Sequence, residues 1–320
     1  MRSSSKYRIL CLLEQAQETL SGGAIAKMLS VSRTAVWNHV RLLQSEGYHI
    51  ESFSNRGYRL HKDNDVIQID RLKTLCKENL AFEYHSVIGS TNTALKGIAH
   101  KCEEGCIMVA GEQTEGRGRR GRTFFSPGDS GIYMSILLKP RFSAEQASLL
   151  TALAALSVCR VLEQVLGIEP QIKWVNDIFY QDKKVCGILS EASYNVENAQ
   201  LDYVVVGMGI NVYPPKDSFP EELKSIAGVL RETREYDLRN RLIAAIAEDF
   251  IAAYRALPQT DFIEDYKRRS MVLGKPIWVR REEEWHRALA LDIDRQAHLL
   301  VEYENKEREL LHSGEVSIRL

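Results

Sequence analysis

Near the middle of the chain, residues 116–122 read G-R-G-R-R-G-R, four fixed positive charges on a backbone carrying three glycines. Glycine accepts positive φ and lets a ligand approach the main chain closely. Arginine presents a planar fork of donors suited to phosphate or carboxylate. The pattern predicts a loop that wraps an anion and orders around it. The string Gly116-x-Gly118-x-x-Gly121 also fits the dinucleotide fingerprint, which needs a strand directly before it and a helix directly after. Here Gln113-Thr114-Glu115 precedes and Phe124-Phe125-Ser126-Pro127-Gly128 reads as a turn, so the fingerprint lacks its context. The stretch taken alone fits a solvated basic loop or a nucleic-acid patch equally well.

Charge is unevenly spread. Net charge is −1, yet residues 1–62 hold nine Lys/Arg against four Asp/Glu, a net of +5, leaving −6 for the rest. A basic module on an acidic body points to a local polyanion. Within it, Ser5–Gln17 and Gly22–Leu29 carry helical apolar spacing. Ser32 is placed to cap a third helix, in which Val36, Val40 and Leu43 recur at i, i+4, i+7. Tyr48–Phe53 and Gly57–Leu60 read as a hairpin around Ser54-Asn55-Arg56. Three helices and a hairpin make a winged helix-turn-helix. Ser32, Arg33, Thr34, Asn38, Arg41 and Arg56 are its expected DNA-binding residues. Arg33 and Asn38 suit base edges, while Arg41, Arg56 and Arg59 suit phosphates. Trp37 falls off the apolar stripe, with packing on the first helix as its alternative.

A polar break at Lys62–Asp65 marks a boundary, giving expected domains of 1–64, 65–270 and 271–320. The body alternates strand-like and helical runs. Cys106–Gly111 is a buried-type strand that delivers Gln113 and the arginine loop at its end. Ser90 or Thr91 can cap a helix over 93–100. A helix is expected over 144–166. Lys184 begins an apolar strand after a tight turn, near Asn176 and Asp177, where an exposed hairpin lysine is the plain alternative. Short strands at Pro276–Arg280, Arg287–Ile293, Leu299–Tyr303 and 316–319 predict a small SH3-like barrel with nothing catalytic in it. The six cysteines form no C-x-x-C pair and no H-E-x-x-H occurs, so no metal site is assigned. Scattered thiols, no uninterrupted apolar run near ~18 residues and no signal-peptide core lead to an expected cytoplasmic protein with no membrane partner.

These pieces, taken in order, resemble one family. Ser90-Thr91-Asn92, the loop after Glu112-Gln113, K-W-x-N-D at Lys173–Asp177, Lys184-x-x-Gly187-Ile188 and Gly207-Met208-Gly209-Ile210-Asn211 look like a biotin protein ligase. The flanking domains resemble the bifunctional form that also represses biotin operons, and the likeness covers essentially the whole chain. It implies an α+β chain: a winged helix-turn-helix, a mixed α/β ligase domain with a class II synthetase-like sheet, and the small barrel. It implies an ATP-dependent ligase forming an amide bond. Biotin and ATP give biotinyl-5′-AMP, and a lysine of a biotin carboxyl carrier protein then takes the biotin. Mg²⁺ is expected with ATP. Operator DNA and a homodimer favoured by biotinyl-5′-AMP are the other implied partners.

By the same resemblance, Lys184 and Arg119 are catalytic. Ser90, Thr91, Asn92, Gln113, Arg117, Gly118, Arg119 and Lys184 bind biotin. Arg119, Arg120, Arg122, Asn176, Asp177 and Asn211 bind the adenylate. Alternatives are a ligand-sensing repressor without turnover, and a lipoate–protein ligase. The chain departs from the family pattern at Val175 (usually proline), Phe124 (often tryptophan), and Leu291 and Ala297 (usually glycine).

Overall fold

The computed structural model describes residues 5–140, 147–195, 200–258, 261–282 and 284–318. The chain divides into two compact units, Met1–Leu75 with Thr233–Arg241, and Cys76–Glu232 with Leu242–Leu320.

The first unit holds α1 (Ser5–Gln15), α2 (Gly22–Leu29), α3 (Arg33–Ser45), the hairpin β1 (Ile50–Phe53) and β2 (Gly57–Leu60), and α4 (Ile69–Leu75). Val36, Val40 and Leu43 of α3 are buried with Ile9, Leu10, Leu13 and Ile25, as the apolar spacing requires. Ser21 and Ser32 cap α2 and α3 by accepting from the backbone N–H of Ala24 and Ala35 at 3.1 Å. Leu20 and Tyr58 exchange two backbone bonds of 2.9 Å, which ties the hairpin to the α1–α2 turn. Gly57 sits at φ +119, and a Cβ there would lie 2.2 Å from the Leu20 carbonyl oxygen, so no side chain fits. Trp37 is 54% exposed, with the Arg41 guanidinium 5.9 Å from its ring centroid, so its indole does not pack on α1.

Residues past the polar break also belong to this unit. The Asp65 carboxylate is fully buried and meets Arg239 at 3.1 Å, while accepting from the Arg239 backbone N–H at 2.9 Å. Arg71 pairs with Asp237 at 2.6 Å, and Asn240 bonds the backbone at Val66 and Gln68.

The second unit contains β3 (Ala81–Ile88), α5 (Thr91–Ile98), β4 (Cys106–Gln113), β5 (Gly131–Leu138), α6 (Ala147–Leu166), β6 (Gln171–Lys173), β7 (Asp177–Tyr180), β8 (Lys183–Asn195) and β9 (Gln200–Asn211). After them come α7 (Glu221–Lys224), α8 (Leu238–Arg255), whose residues up to Arg241 belong to the first unit, and α9 (Phe262–Arg268). The seven strands form one sheet in the order β3-β4-β5-β9-β8-β7-β6. Only the β3–β4 pair is parallel. Every residue of β5 is buried, so this central strand is apolar on both faces rather than alternating. Helix α5 packs on β4, β5 and β9, and α6 on β6 to β9. Residues 144–146 of the expected long helix lie outside the described residues. Within α6, Leu149–Leu166 is apolar enough to cross a membrane by length and composition, with mean hydropathy 1.7. It is 67% buried in the fold, as a core helix is.

The tail adds β10 (Pro276–Arg281), β11 (Glu284–Ile293), β12 (Leu299–Tyr303), β13 (Arg308–Leu311) and β14 (Val316–Ser317). They form an antiparallel sheet ordered β13-β12-β11-β10-β14. Strand β13 was not expected, because R-E-L-L shows no alternation; Arg319 lies outside the described residues. The β11–β12 hairpin forms without its two glycines. A register shift at Ala290/Asp292 accommodates Leu291, and Ala297 takes φ +62 with its N–H on the Asp294 carbonyl at 3.0 Å. Trp174 donates to the Ala297 carbonyl at 2.9 Å, so by contacts the body and tail are one unit.

Replacing Asp65 with alanine removes the carboxylate from a buried guanidinium, and is expected to destabilise the first unit by about 3 kcal/mol. Calorimetry reads this as a lowered transition; an unchanged melting profile would contradict the buried pair's role.

Candidate active site

Strand ends β4, β5, β8 and β9 and the start of α5 build a small polar pocket. It is lined by Ser90, Thr91, Asn92, Gln113 and Arg117, over Gly187, Gly207 and Gly209. Ser90 caps α5, which places Thr91 and Asn92 in its first turn. Thr91 donates to Gln113 Oε1 from both its backbone N–H (2.9 Å) and its hydroxyl (3.1 Å). The Gln113 amide donates to Ser126 Oγ at 3.0 Å. Ser135 on β5, fully buried, donates to Asn92 Oδ1 at 2.6 Å and lies 2.7 Å from Thr91 Oγ1. Asn92 donates to Glu191 at 2.8 Å, and Lys96 to the same carboxylate at 2.6 Å. Burial works to raise the Glu191 pKa, but the hydrogen bonds from Lys96 and Asn92 prevail and hold it below the usual carboxylate value. Arg117 approaches Glu191 at 3.7 Å.

Ser135, Ser126 and Glu191 were not anticipated. Ser135 carried a signal, as the lone polar side chain in an apolar strand. The other two are brought in by folding from ordinary surroundings.

The register explains the pocket floor. Gly187 on β8 pairs with Gly209 on β9, and both lie beneath the Phe124 ring. A Cβ on Gly209 would lie 2.4 Å from that ring, and one on Gly187 3.1 Å. Phe124 therefore rests on bare backbone. It borders both this pocket, of about 30 Å³, and a larger cleft of about 330 Å³.

The larger cleft is cationic. Arg119, Arg120, Arg122, Lys173 and Lys184 line it against two carboxylates, Asp177 and Glu315. Gly118, Asn176 and Asn211 complete its polar wall, and Phe219, Leu223 and Ile226 supply an apolar one. Lys184 is held by Asp177 at 2.7 Å with its side chain 28% exposed, so it is a cleft lysine rather than a free hairpin lysine. Its backbone bonds Ile226 and Gly228, which seats the strand against the apolar wall. Arg119 donates to Asn176 Oδ1 at 3.0 Å. Burial lowers the pKa of Arg119 despite the opposing charge of Asp177, and does the same to Lys173. Both cations are thus short of solvent and of counter-charge. Lys173 was noted only as part of its motif. The Trp174–Val175 peptide beside it is cis.

The arginine loop is a closed turn. Gly118 N–H meets the Arg122 carbonyl at 2.7 Å, Phe124 N–H meets Gly116 at 2.9 Å, and Arg119–Gly121 makes one 3₁₀ turn. Strand β4 ends at Gln113 and no helix opens after the glycines, so the dinucleotide fingerprint is incidental. The loop is tied to the tail by Glu315. That carboxylate meets Arg122 at 2.5 Å, Arg120 at 3.3 Å and Arg280 at 3.5 Å. Burial works to raise its pKa, but Arg122 and Arg120 outweigh burial and lower it. The tail, in which nothing catalytic was expected, contributes Gly314, Glu315 and Val316 to the cleft lining.

In the first unit Ser32, Arg33, Thr34, Asn38 and Arg41 are all exposed around α3, and Arg56 is exposed at the hairpin tip. Arg59 is instead engaged by Glu51 at 2.7 Å.

Replacing Glu315 with alanine frees Arg120 and Arg122 of their shared partner. Trypsin cleavage within residues 117–122 is expected to quicken several-fold at neutral pH; an unchanged rate would show that the turn's own backbone bonds suffice.

Residues 84–211 match the Biotin/lipoate A/B protein ligase family, and residues 6–59 match an HTH domain. The chain is 37% identical over 237 residues to the bifunctional ligase/repressor BirA of Bacillus subtilis (strain 168), covering 72% of each. It is 25% identical over 318 residues to the bifunctional ligase/repressor BirA of Escherichia coli (strain K12), covering 98% of this chain and 96% of the other. Among solved structures, biotin protein ligase from Aquifex aeolicus in complex with biotin and ATP is similar with a TM-score of 0.63 and 29% identity, over 75% of this chain and 98% of that one. With this likeness in sequence, sheet and flanking helix-turn-helix, the chain belongs to the biotin protein ligase family, in its bifunctional ligase/repressor form.

Proposed function

We propose that this chain activates biotin with ATP to biotinyl-5′-AMP, transfers biotin to a lysine of a carrier domain, and represses transcription in response to biotin. The observation that carries the catalytic half is the junction of a neutral hydrogen-bonding pocket with a cleft holding five cations and two carboxylates. Biotin has a polar ureido ring at one end and a carboxylate at the other, and ATP is a polyanion. The ring suits Ser90, Thr91, Asn92 and Gln113, with Arg117 beside them. The phosphates suit Arg119, Arg120 and Arg122. Asn176, Asp177 and Asn211 then face the nucleoside side, and Lys184 and Gly118 lie between the two ligands.

In the first step a biotin carboxylate oxygen attacks the α-phosphorus, and the bond to the β-phosphate oxygen breaks to release pyrophosphate. Two anions must meet, so the preorganised cations Lys184 and Arg119 act where charge concentrates. In the second step a neutral lysine amine of the carrier attacks the acyl carbon. The acyl–oxygen bond breaks, AMP departs with the electron pair, and the amine loses its proton.

A space of about 30 Å³ holds roughly two waters and cannot hold biotin's fused rings. Phe124 therefore leaves the glycine floor when biotin enters, and the loop that carries it re-forms over the ligand. This makes the loop the element that reports ligand state. We read the reported state as a homodimer favoured by biotinyl-5′-AMP, whose paired helix-turn-helix units span two half-sites.

Mg²⁺ is read as arriving on ATP. Among the described residues lining the cleft the only carboxylates are Asp177 and Glu315, and both are already paired with cations. That donor set suits a metal held mainly by substrate phosphates. Residues 1–64, 65–270 and 271–320 correspond in this reading to DNA binding, chemistry and an SH3-like tail.

Lys184→Ala is expected to cut adenylate formation by about 10²–10³-fold with the circular dichroism spectrum unchanged; wild-type turnover would reject its role. On operator DNA, Arg33→Ala is expected to cost about 1–3 kcal/mol and relax base preference at one position. Arg56→Ala should weaken binding across sequences and lower the salt slope by about 1. Equal sequence preference in the two variants would contradict this division.

A further inference from the structure

Two histidines flank the hairpin of the first unit. His49 directly precedes β1 and His61 directly follows β2, so the pair closes the hairpin's base. Their rings stack at 3.7 Å with planes 3° apart. Asp63 reaches His49 Nδ1 at 3.3 Å. Glu51 reaches His61 Nε2 at 3.2 Å but is also bound by Arg59 at 2.7 Å. One donor atom from each of His49, His61 and Asp63 lies within 4.8 Å of the others.

The backbone beneath them is built. Buried Asn64 accepts from the His49 N–H at 2.6 Å and donates to the carbonyls of His49 (3.1 Å) and His61 (2.7 Å). The His61 N–H also meets the His49 carbonyl at 3.1 Å. One buried amide thus fixes the backbone of both chelating residues, and only the stack and the two carboxylate contacts hold their rings.

We propose that His49, His61 and Asp63 form a site for a divalent transition-metal ion of the zinc class. Two neutral imidazoles and a carboxylate are the donor set such ions take, with bonds of about 2.0–2.2 Å and a further position for water. Donors up to 4.8 Å apart close to the roughly 3.3 Å separation of tetrahedral ligands when the two imidazoles turn out of their parallel stack so that their lone pairs converge on the ion. Arg59 engages Glu51, which leaves Asp63 as the anionic ligand.

The test is isothermal titration of the tag-free full chain with Zn²⁺ alone, with Co²⁺ as a spectroscopic probe. The wild-type chain is expected to bind one equivalent that His49→Ala and His61→Ala each weaken at least tenfold, and that Asp63→Asn weakens. Co²⁺ should show no thiolate charge-transfer band for that equivalent. Zn²⁺ should also raise the melting temperature of the wild type more than that of His61→Ala, a readout that a purely stacking role would not move. No bound equivalent in the wild type, or binding and melting shifts equal in the histidine variants, would overturn the site.

Discussion

Like charges crowd the wall of one cleft, and the rest of the second unit is arranged around that fact. Two cations 4 Å apart repel by about 4 kcal/mol at an effective dielectric of about 20. Two carboxylates offset part of this repulsion by pairing with three of the five cations. Asp177, at the start of β7, fixes Lys184 at the start of β8, and Glu315 fixes Arg122 and Arg120 from the tail. The surplus positive charge that remains is what a polyanionic substrate offsets. Electrostatics therefore links the sheet, the loop and the tail, and places the cleft where β7, β8 and β9 bring their ends together.

Beside the cleft the physics changes from charge to shape. Glycines at 187, 207 and 209 leave β8 and β9 bare of side chains, and a Cβ on Gly207 would lie 2.1 Å from Asn92 Oδ1. A flat floor with satisfied polar groups around it suits a planar, neutral ring. Phe124 covers that floor and belongs to the same loop as the arginines. The ring lines both pockets, so the two share a wall built by the arginine loop.

Much of this was legible in the sequence, where local rules govern. The α3 stripe, its Ser32 cap and the buried-type run Cys106–Gly111, which becomes β4, follow from spacing and capping. The resemblance assigned Ser90, Thr91, Asn92, Gln113 and Arg117 to biotin together with Gly118, Arg119 and Lys184; the first five line the small pocket, whereas the last three line the larger cleft beside Arg120, Arg122, Asn176, Asp177 and Asn211. The unreadable parts depend on distant partners. Asp65 and Arg239 are 174 residues apart, and nothing local marks either as one half of a buried pair. Glu315 looks like a solvated turn residue until the tail folds beside the loop. Ala297 adopts a conformation that favours glycine because the Asp294 turn and the Trp174 hydrogen bond fix its backbone.

The central claim is that the paired pockets accept biotin and ATP together and join them. Isotope exchange between pyrophosphate and ATP, catalysed by the purified chain, reads that first step alone. Exchange that requires biotin and that lipoate does not support is expected. Exchange driven by lipoate, or none with biotin, would contradict the claim.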